Sequence, residues 1–143
     1  MTYLELKQSH NNEVNAFPFF FAFSNKQFEE GMAKFGLLTT DTDKIYKLGN
    51  TGGFYLRTDA ERLHEMFSRH EKEMQDAIDA DTTGEGFILE MFDYELADHE
   101  YIVTCDVSST LDALGLTPDD IEKDQRLQHG LKLAKKRQRE KGE

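Results

Sequence analysis

Side chains that could bind a metal ion crowd together in the second half of the sequence. Glu95, Asp98, His99 and Glu100 lie within six consecutive positions, and carboxylate and imidazole groups are common ligands of divalent cations. The sequence has no HExxH motif and no pair of CxxC motifs, which are the spacings typical of zinc sites. We therefore predict a capped helix end without a metal or other cofactor. A metal-dependent hydrolase centred on Glu95, Asp98 and His99 is the weakest functional alternative.

Other reactive side chains have simpler explanations. Cys105, the single cysteine, lies in a run that predicts a strand, so we expect a small core residue and no disulfide. Ser108 and Ser109 are expected to cap a helix. His64 lies beside two glutamates on another predicted helix, where a surface histidine is the common outcome. No group of residues specifies acid–base or nucleophilic catalysis, so we predict a protein that is not an enzyme.

The charge of the sequence is strongly segregated. The net charge is −11, and the fifty residues from 73 to 122 contain fifteen acidic side chains and neither Lys nor Arg. From residue 123 onward, eight basic side chains stand against three acidic ones. An acidic balance argues against a general nucleic-acid binder. It favours a basic partner, a divalent cation or simple solubility.

The acidic window at 73–122 has two explanations. Solvated helix faces are the commoner one, because charged residues normally lie outside. The absence of compensating Lys supports the other, a surface that engages a basic protein partner or imitates the phosphates of a nucleic acid. The predicted face consists of Asp76, Asp79, Glu90, Asp93, Glu95, Asp98 and Glu100, with short-range contacts from Phe92, Tyr94 and Tyr101.

The basic end of the chain also has two interpretations. Its cationic residues are Lys132, Lys135, Lys136, Arg137 and Arg139. Contact with phosphates would make the protein a nucleic-acid-associated regulator, which is the alternative function. The same residues could instead fold back over the acidic window or complement the dipole of their own helix. A basic protein partner is therefore the first expectation and nucleic acid the second.

Alternating strands and helices are predicted to position these residues. Aromatic residues at period two predict a strand near 19–23 whose core face carries Phe17, Phe19, Phe21 and Phe23. Runs at 44–48 and 54–57 flank a glycine-rich loop and predict a hairpin. A fourth strand is predicted at 101–105. The expected fold is α+β, with one small sheet of about four strands and several helices packed against it.

Start and stop signals place the helices. Ser24 with Gln27 opens one helix that Gly36 closes, and a capping box beginning at Thr58 opens a longer one to about residue 80. A further helix is predicted at 85–97, with Ile88, Met91, Phe92 and Leu96 turned inward. A short helix ends at Gly115, and the Thr–Pro pair at 117–118 opens the last.

Length and hydropathy bound the class of protein. The 143 residues are expected to form a single domain, 1–143, with a basic tail at 135–143 that frays into solvent. The longest dense apolar run, 17–23, is far shorter than the roughly 20 residues of a membrane helix. We expect no secretory signal, because no charged segment followed by an apolar run is visible at the start of the sequence. We therefore expect a cytoplasmic protein with no membrane contact and leave the oligomeric state open.

Two stretches of the sequence are similar to proteins of an uncharacterised family. They read FFAFSNKQFEEG at 20–31 and GFILEMFDYELADHEY at 86–101, and TLDALGLT at 110–117 accompanies them. Together they resemble small proteins encoded by bacterial genomes, phages or mobile elements. The resemblance implies a compact accessory protein, and it raises the expectation of an acidic inhibitor or a DNA mimic.

Overall fold

A computed structural model describes residues 1–142 and shows a mixed α and β architecture. The helices are α1 (Tyr3–Ala16), α2 (Asn25–Lys34), α3 (Ala60–Ala80), α4 (Phe87–Asp98), α5 (Tyr101–Thr104), α6 (Ser108–Leu114), α7 (Pro118–Lys123) and α8 (Gln125–Lys141). The strands are β1 (Phe19–Phe21), β2 (Ile45–Leu48) and β3 (Gly53–Leu56), in one antiparallel sheet of order β1-β3-β2. The predicted α+β class is confirmed, but the expected number of four strands is wrong because three form.

The chain divides into two compact units. One consists of His10–Glu71 and contains the sheet and α2. The other joins Met1–Ser9 to Lys72–Glu143 and contains α4 to α8. The assignment of the whole chain to one domain remains a prediction.

The first strand turns a different face to the core than its sequence predicts. Phe20 is buried and stacks on Phe54 of β3 with 5.0 Å between ring centroids, whereas Phe21 and Phe23 are 52% and 76% exposed. Helix α2 packs on the Phe20 side, where a Cβ atom on Gly31 would lie 2.0 Å from the Phe20 ring. The predicted core face was therefore wrong, because α2 covers the alternate side of the strand.

Two of the capping signals predicted from the sequence are confirmed, those of α2 and α7. The Ser24 side chain accepts a hydrogen bond from the Gln27 backbone at the start of α2, and Gly36 follows the helix with φ of +72°. Thr117 and Asp120 form a reciprocal capping box at α7. Short-range hydrogen bonds determine these boundaries, so the local sequence predicts them well.

Two other predicted capping signals are wrong. Val107, rather than Ser108 or Ser109, is the N-cap residue of α6. Thr58 lies within a 3₁₀ turn before α3.

The segment predicted as a fourth strand is instead the short helix α5. Its backbone closes helical turns, as when Cys105 N–H donates to the Tyr101 carbonyl at 2.8 Å. Val103 is exposed, and so is Cys105, which is therefore not the core residue expected. A strand needs a neighbouring strand to satisfy its backbone, and the three strands of the described chain all lie within residues 19–56. β-branched residues at this site therefore did not produce extended structure.

The unit that joins Met1–Ser9 to Lys72–Glu143, here called the second unit, has its core between α4 and α8. The predicted inward residues Ile88, Met91, Phe92 and Leu96 are all fully buried. Leu127, Leu131 and Ala134 of α8 belong to the same apolar cluster. A Cβ atom on Gly130 would lie 2.6 Å from the Ile88 side chain and 2.7 Å from the Gly84 carbonyl oxygen, so this glycine permits the close approach of α8.

Candidate functional site

The most buried carboxylate of the predicted acidic face is Glu95, which is only 1% exposed. Its position on α4 turns it inward beside Leu96, and Tyr3 and Lys7 of α1 reach it from 92 and 88 residues away. The Tyr3 hydroxyl and the Lys7 ammonium both donate to Glu95 Oε1 at 2.5 Å. Glu95 therefore belongs to a buried polar cluster, and its assignment to an exposed face is wrong.

The electrostatics of this cluster favour an ionised Glu95. Burial opposes the charge, but the hydrogen bonds from Lys7 and Tyr3 and the charges of Lys7 and His99 outweigh it and lower the pKa of Glu95. Burial and the hydrogen bond to Glu95 raise the pKa of the Tyr3 hydroxyl far above its ordinary range. Tyr3 therefore stays a neutral hydrogen-bond donor, and Lys7 supplies the balancing charge.

The second carboxylate oxygen of Glu95, Oε2, lies beside His99. The His99 Nε2 atom lies 3.3 Å from Glu95 Oε2, which is within ion-pair range but without hydrogen-bond geometry, since Oε2 is buried with no hydrogen-bond partner in residues 1–142. One ligand atom from each of Glu95, Asp98 and His99 lies within 4.8 Å of the others. The sequence cluster at 95–100 is thus a real spatial cluster for three of its four residues.

The acidic residues of α3 belong to a separate helix. Asp76 accepts from the Lys72 ammonium at 2.7 Å, and Asp79 accepts from the Gln75 side chain at 2.9 Å. Both acids are exposed. Mixed-charge pairs four residues apart are typical of solvated helix surfaces. Lys72 lies just outside the acidic window, and its charge offsets that of Asp76.

Lys141 and Gln138 of α8 approach Asp93 of α4 in a groove. Asp93 accepts from the Gln138 side chain at 2.6 Å and lies 3.6 Å from the Lys141 ammonium. Arg137 and Glu90 line the same groove, whose volume is about 390 Å³. The basic end approaches the acidic window at Lys141, which lies near Asp93. Both interpretations of the cationic residues at 132–139 remain predictions.

The rest of the basic end is helical as far as Lys141. Gln138 is buried, and Lys135 is half-buried. The exposed members are Lys132, Lys136, Arg137 and Arg139. The sequence predicts that the tail at 135–143 frays, but the chain is helical up to Lys141. Ala134 and Gln138 hold this part of α8 against α4. Glu143 lies outside the described residues.

Aromatic side chains contribute less to the surface than predicted. Phe92 and Tyr101 belong to the apolar core, at 0% and 8% exposure, and only Tyr94 reaches the surface. The Lys7 ammonium lies 5.1 Å from the Tyr94 ring centroid, a cation–π distance. Tyr94 therefore covers the buried cluster and also borders the groove with Glu90.

No pattern in the sequence predicts Tyr3 and Lys7 as partners of Glu95. The first helix is only weakly amphipathic, and no periodicity signal links residues some ninety positions apart. The available signal was the spacing of Glu95, four positions after Met91 and three after Phe92, which places it on the inward face of the predicted helix. An ionised side chain on an inward face requires a partner.

These observations define an α+β protein with a buried ionic cluster. Residues 2–137 match a family of unknown function, DUF7659. The chain belongs to this family, which agrees with the resemblance to an uncharacterised family. No curated protein and no solved structure matches the chain. Within the described residues, no helix is long and apolar enough to span a membrane.

Proposed function

We propose that the protein is a non-enzymatic binding protein that engages a basic protein surface through its exposed carboxylates. The observation that supports this is the number of predicted surface acids that lack a close ion pair. Four members of the predicted face have no ion pair among residues 1–142: Asp79, Glu90, Asp98 and Glu100. Unpaired like charges raise the local potential, which steers an oppositely charged partner and accelerates encounter.

The resemblance to small bacterial and phage proteins suggests the kind of organism or element in which this protein acts. We propose an accessory protein of a bacterium, phage or mobile element that acts in the cytoplasm, as an inhibitor or a mimic of nucleic acid. A mimic would present carboxylates where a basic protein expects phosphates.

Neutralising exposed acids should abolish partner capture. We choose Asp79→Asn, Glu90→Gln and Glu100→Gln together, because the amides keep shape while removing three charges. Glu90 also accepts from the Tyr3 backbone N–H at 3.2 Å, and glutamine retains that acceptor. We expect a basic protein that the wild-type chain captures from source-cell extract to be lost from the triple variant, as measured by quantitative mass spectrometry.

A matched control separates local from global charge. Glu29→Gln, Glu30→Gln and Glu71→Gln remove the same charge at exposed positions outside the acidic window. This control should capture the same partner as wild type. Equal capture by the face variant and the control would refute the proposal.

A second candidate, a nucleic-acid-associated regulator, is favoured by one feature of α8. Lys132, Lys136 and Arg139 are exposed and spaced by four and three positions, which places them on one helix face. If this candidate is correct, replacing all three with Gln should remove a gel shift with duplex or single-stranded nucleic acid. The control replaces exposed Lys26, Lys34 and Lys47 with Gln. A shift that survives, or none with the intact chain, would exclude the candidate.

A further inference from the structure

We propose that Glu95, Asp98 and His99 form a binding site for a divalent transition-metal ion of the Zn²⁺ type. The site goes beyond the proposed binding function and does not depend on it. Each residue offers one ligand atom, and the three atoms lie within 4.8 Å of one another at the end of α4. Glu95 and His99 are four positions apart on the helix, a spacing that places two ligands on one face.

The buried Glu95 oxygen provides the second observation. Glu95 is 1% exposed, and its Oε2 atom has no hydrogen-bond partner within residues 1–142. Buried polar atoms are nearly always hydrogen-bonded or coordinated. Because Tyr3 and Lys7 both bind Oε1, they hold the carboxylate so that Oε2 remains available toward His99. Such outer contacts typically orient metal ligands.

The distance between the two central ligand atoms suits a metal ion. His99 Nε2 and Glu95 Oε2 are 3.3 Å apart. Two metal–ligand bonds of about 2.1 Å at a tetrahedral angle place their ligand atoms about 3.4 Å apart. Asp98 is exposed and His99 is 29% exposed, so an ion can enter from solvent between them.

The ligand types indicate the class of ion. Imidazole suits zinc and its neighbours, whereas magnesium and calcium prefer oxygen ligands throughout. The Lys7 ammonium beside Oε1 repels a cation, and the carboxylate of Asp98 offsets that repulsion. We therefore expect affinity in the micromolar range for Zn²⁺ and weaker binding of Mg²⁺.

Isothermal titration of the tag-free, chelator-treated full chain with Zn²⁺ tests the site. We expect one binding event per chain, and we expect Asp98→Asn and His99→Ala each to weaken it by about 10-fold or more. Both side chains reach solvent, so the variants should keep the wild-type far-UV circular dichroism. His64→Ala and His129→Ala remove partly or fully exposed histidines elsewhere and should leave the affinity unchanged.

Three results would overturn the proposal. The first is the absence of Zn²⁺ binding at micromolar concentrations. The second is an unchanged Zn²⁺ affinity in the folded His99→Ala variant. The third is a loss of Zn²⁺ affinity in His64→Ala or His129→Ala as large as that in His99→Ala. Tighter binding of Mg²⁺ than of Zn²⁺ would contradict the assigned class of ion. A Co²⁺ absorption band that is lost in His99→Ala would support coordination by the imidazole.

Discussion

Replacing Lys7 with methionine should lower the free energy of unfolding by about 3 kcal/mol at pH 7. The substitution keeps most of the side-chain volume but removes the ammonium that binds Glu95 Oε1 at 2.5 Å. A buried carboxylate then lacks its counter-charge, which is far costlier than losing an exposed ion pair. Lys7 is 30% exposed, so water can enter, and the expected loss lies at the lower end for buried pairs. Urea denaturation followed by circular dichroism measures it.

The pH dependence of this variant should reverse sign. In the wild type the folded-state pKa of Glu95 is lowered from its ordinary value of 4.5. Its contribution to stability is therefore present above that value and lost as the pH falls through the lower, folded-state pKa. Without Lys7, burial dominates and raises the folded-state pKa of Glu95. The variant then loses stability as the pH rises above 4.5, so its deficit should shrink in acid.

A matched lysine variant tests whether the effect belongs to the cluster. Lys26→Met makes the same substitution at an exposed position in the first turn of α2 and should change stability by less than about 0.5 kcal/mol. Two results would contradict a stabilising ion pair between Lys7 and Glu95. One is a Lys7→Met variant with the wild-type free energy of unfolding at pH 7, and the other is a loss of unfolding free energy that is equal at pH 4 and pH 7.

Replacing Phe92 with alanine should cost about 3 to 5 kcal/mol of unfolding free energy. Phe92 is fully buried at the centre of the apolar cluster of the second unit. Its removal forfeits the burial of the ring and leaves a cavity that the close-packed helices α4 and α8 cannot refill completely. Urea denaturation followed by circular dichroism should show a large fall in the midpoint.

The chain offers the same substitution at an exposed site as a control. Phe23 is 76% exposed, so Phe23→Ala should shift stability by no more than about 0.5 kcal/mol. A small effect at Phe92 comparable to that at Phe23 would show that α4 does not present this side chain to a core.

Much of the helical architecture could be predicted because its signals are local. The capping box at Thr117, the positive φ at Gly36 and the inward stripe of α4 all depend on residues a few positions apart. The face of β1 could not be assigned in the same way. Its run of consecutive Phe residues fits either side, and packing of α2 against Phe20 decides between them.

The candidate site was predicted only in part for a related reason. The cluster of Glu95, Asp98 and His99 is visible in the sequence because its members are neighbours. The burial of Glu95 depends on Tyr3 and Lys7, which approach only in the folded chain. The sequence also could not show that one acid of the window has a basic neighbour, because Lys141 of α8 approaches Asp93 only in the folded chain.

Salt dependence of partner capture tests the proposed function most directly. Capture from source-cell extract is compared at about 0.1 M salt, where the Debye length is about 10 Å, and at about 1 M salt, where it is about 3 Å. Electrostatic engagement by exposed carboxylates predicts a basic protein that is retained at low salt, released at high salt and absent from the triple Asp79, Glu90 and Glu100 variant. A partner retained equally at both salt concentrations, or no salt-sensitive partner, would contradict it.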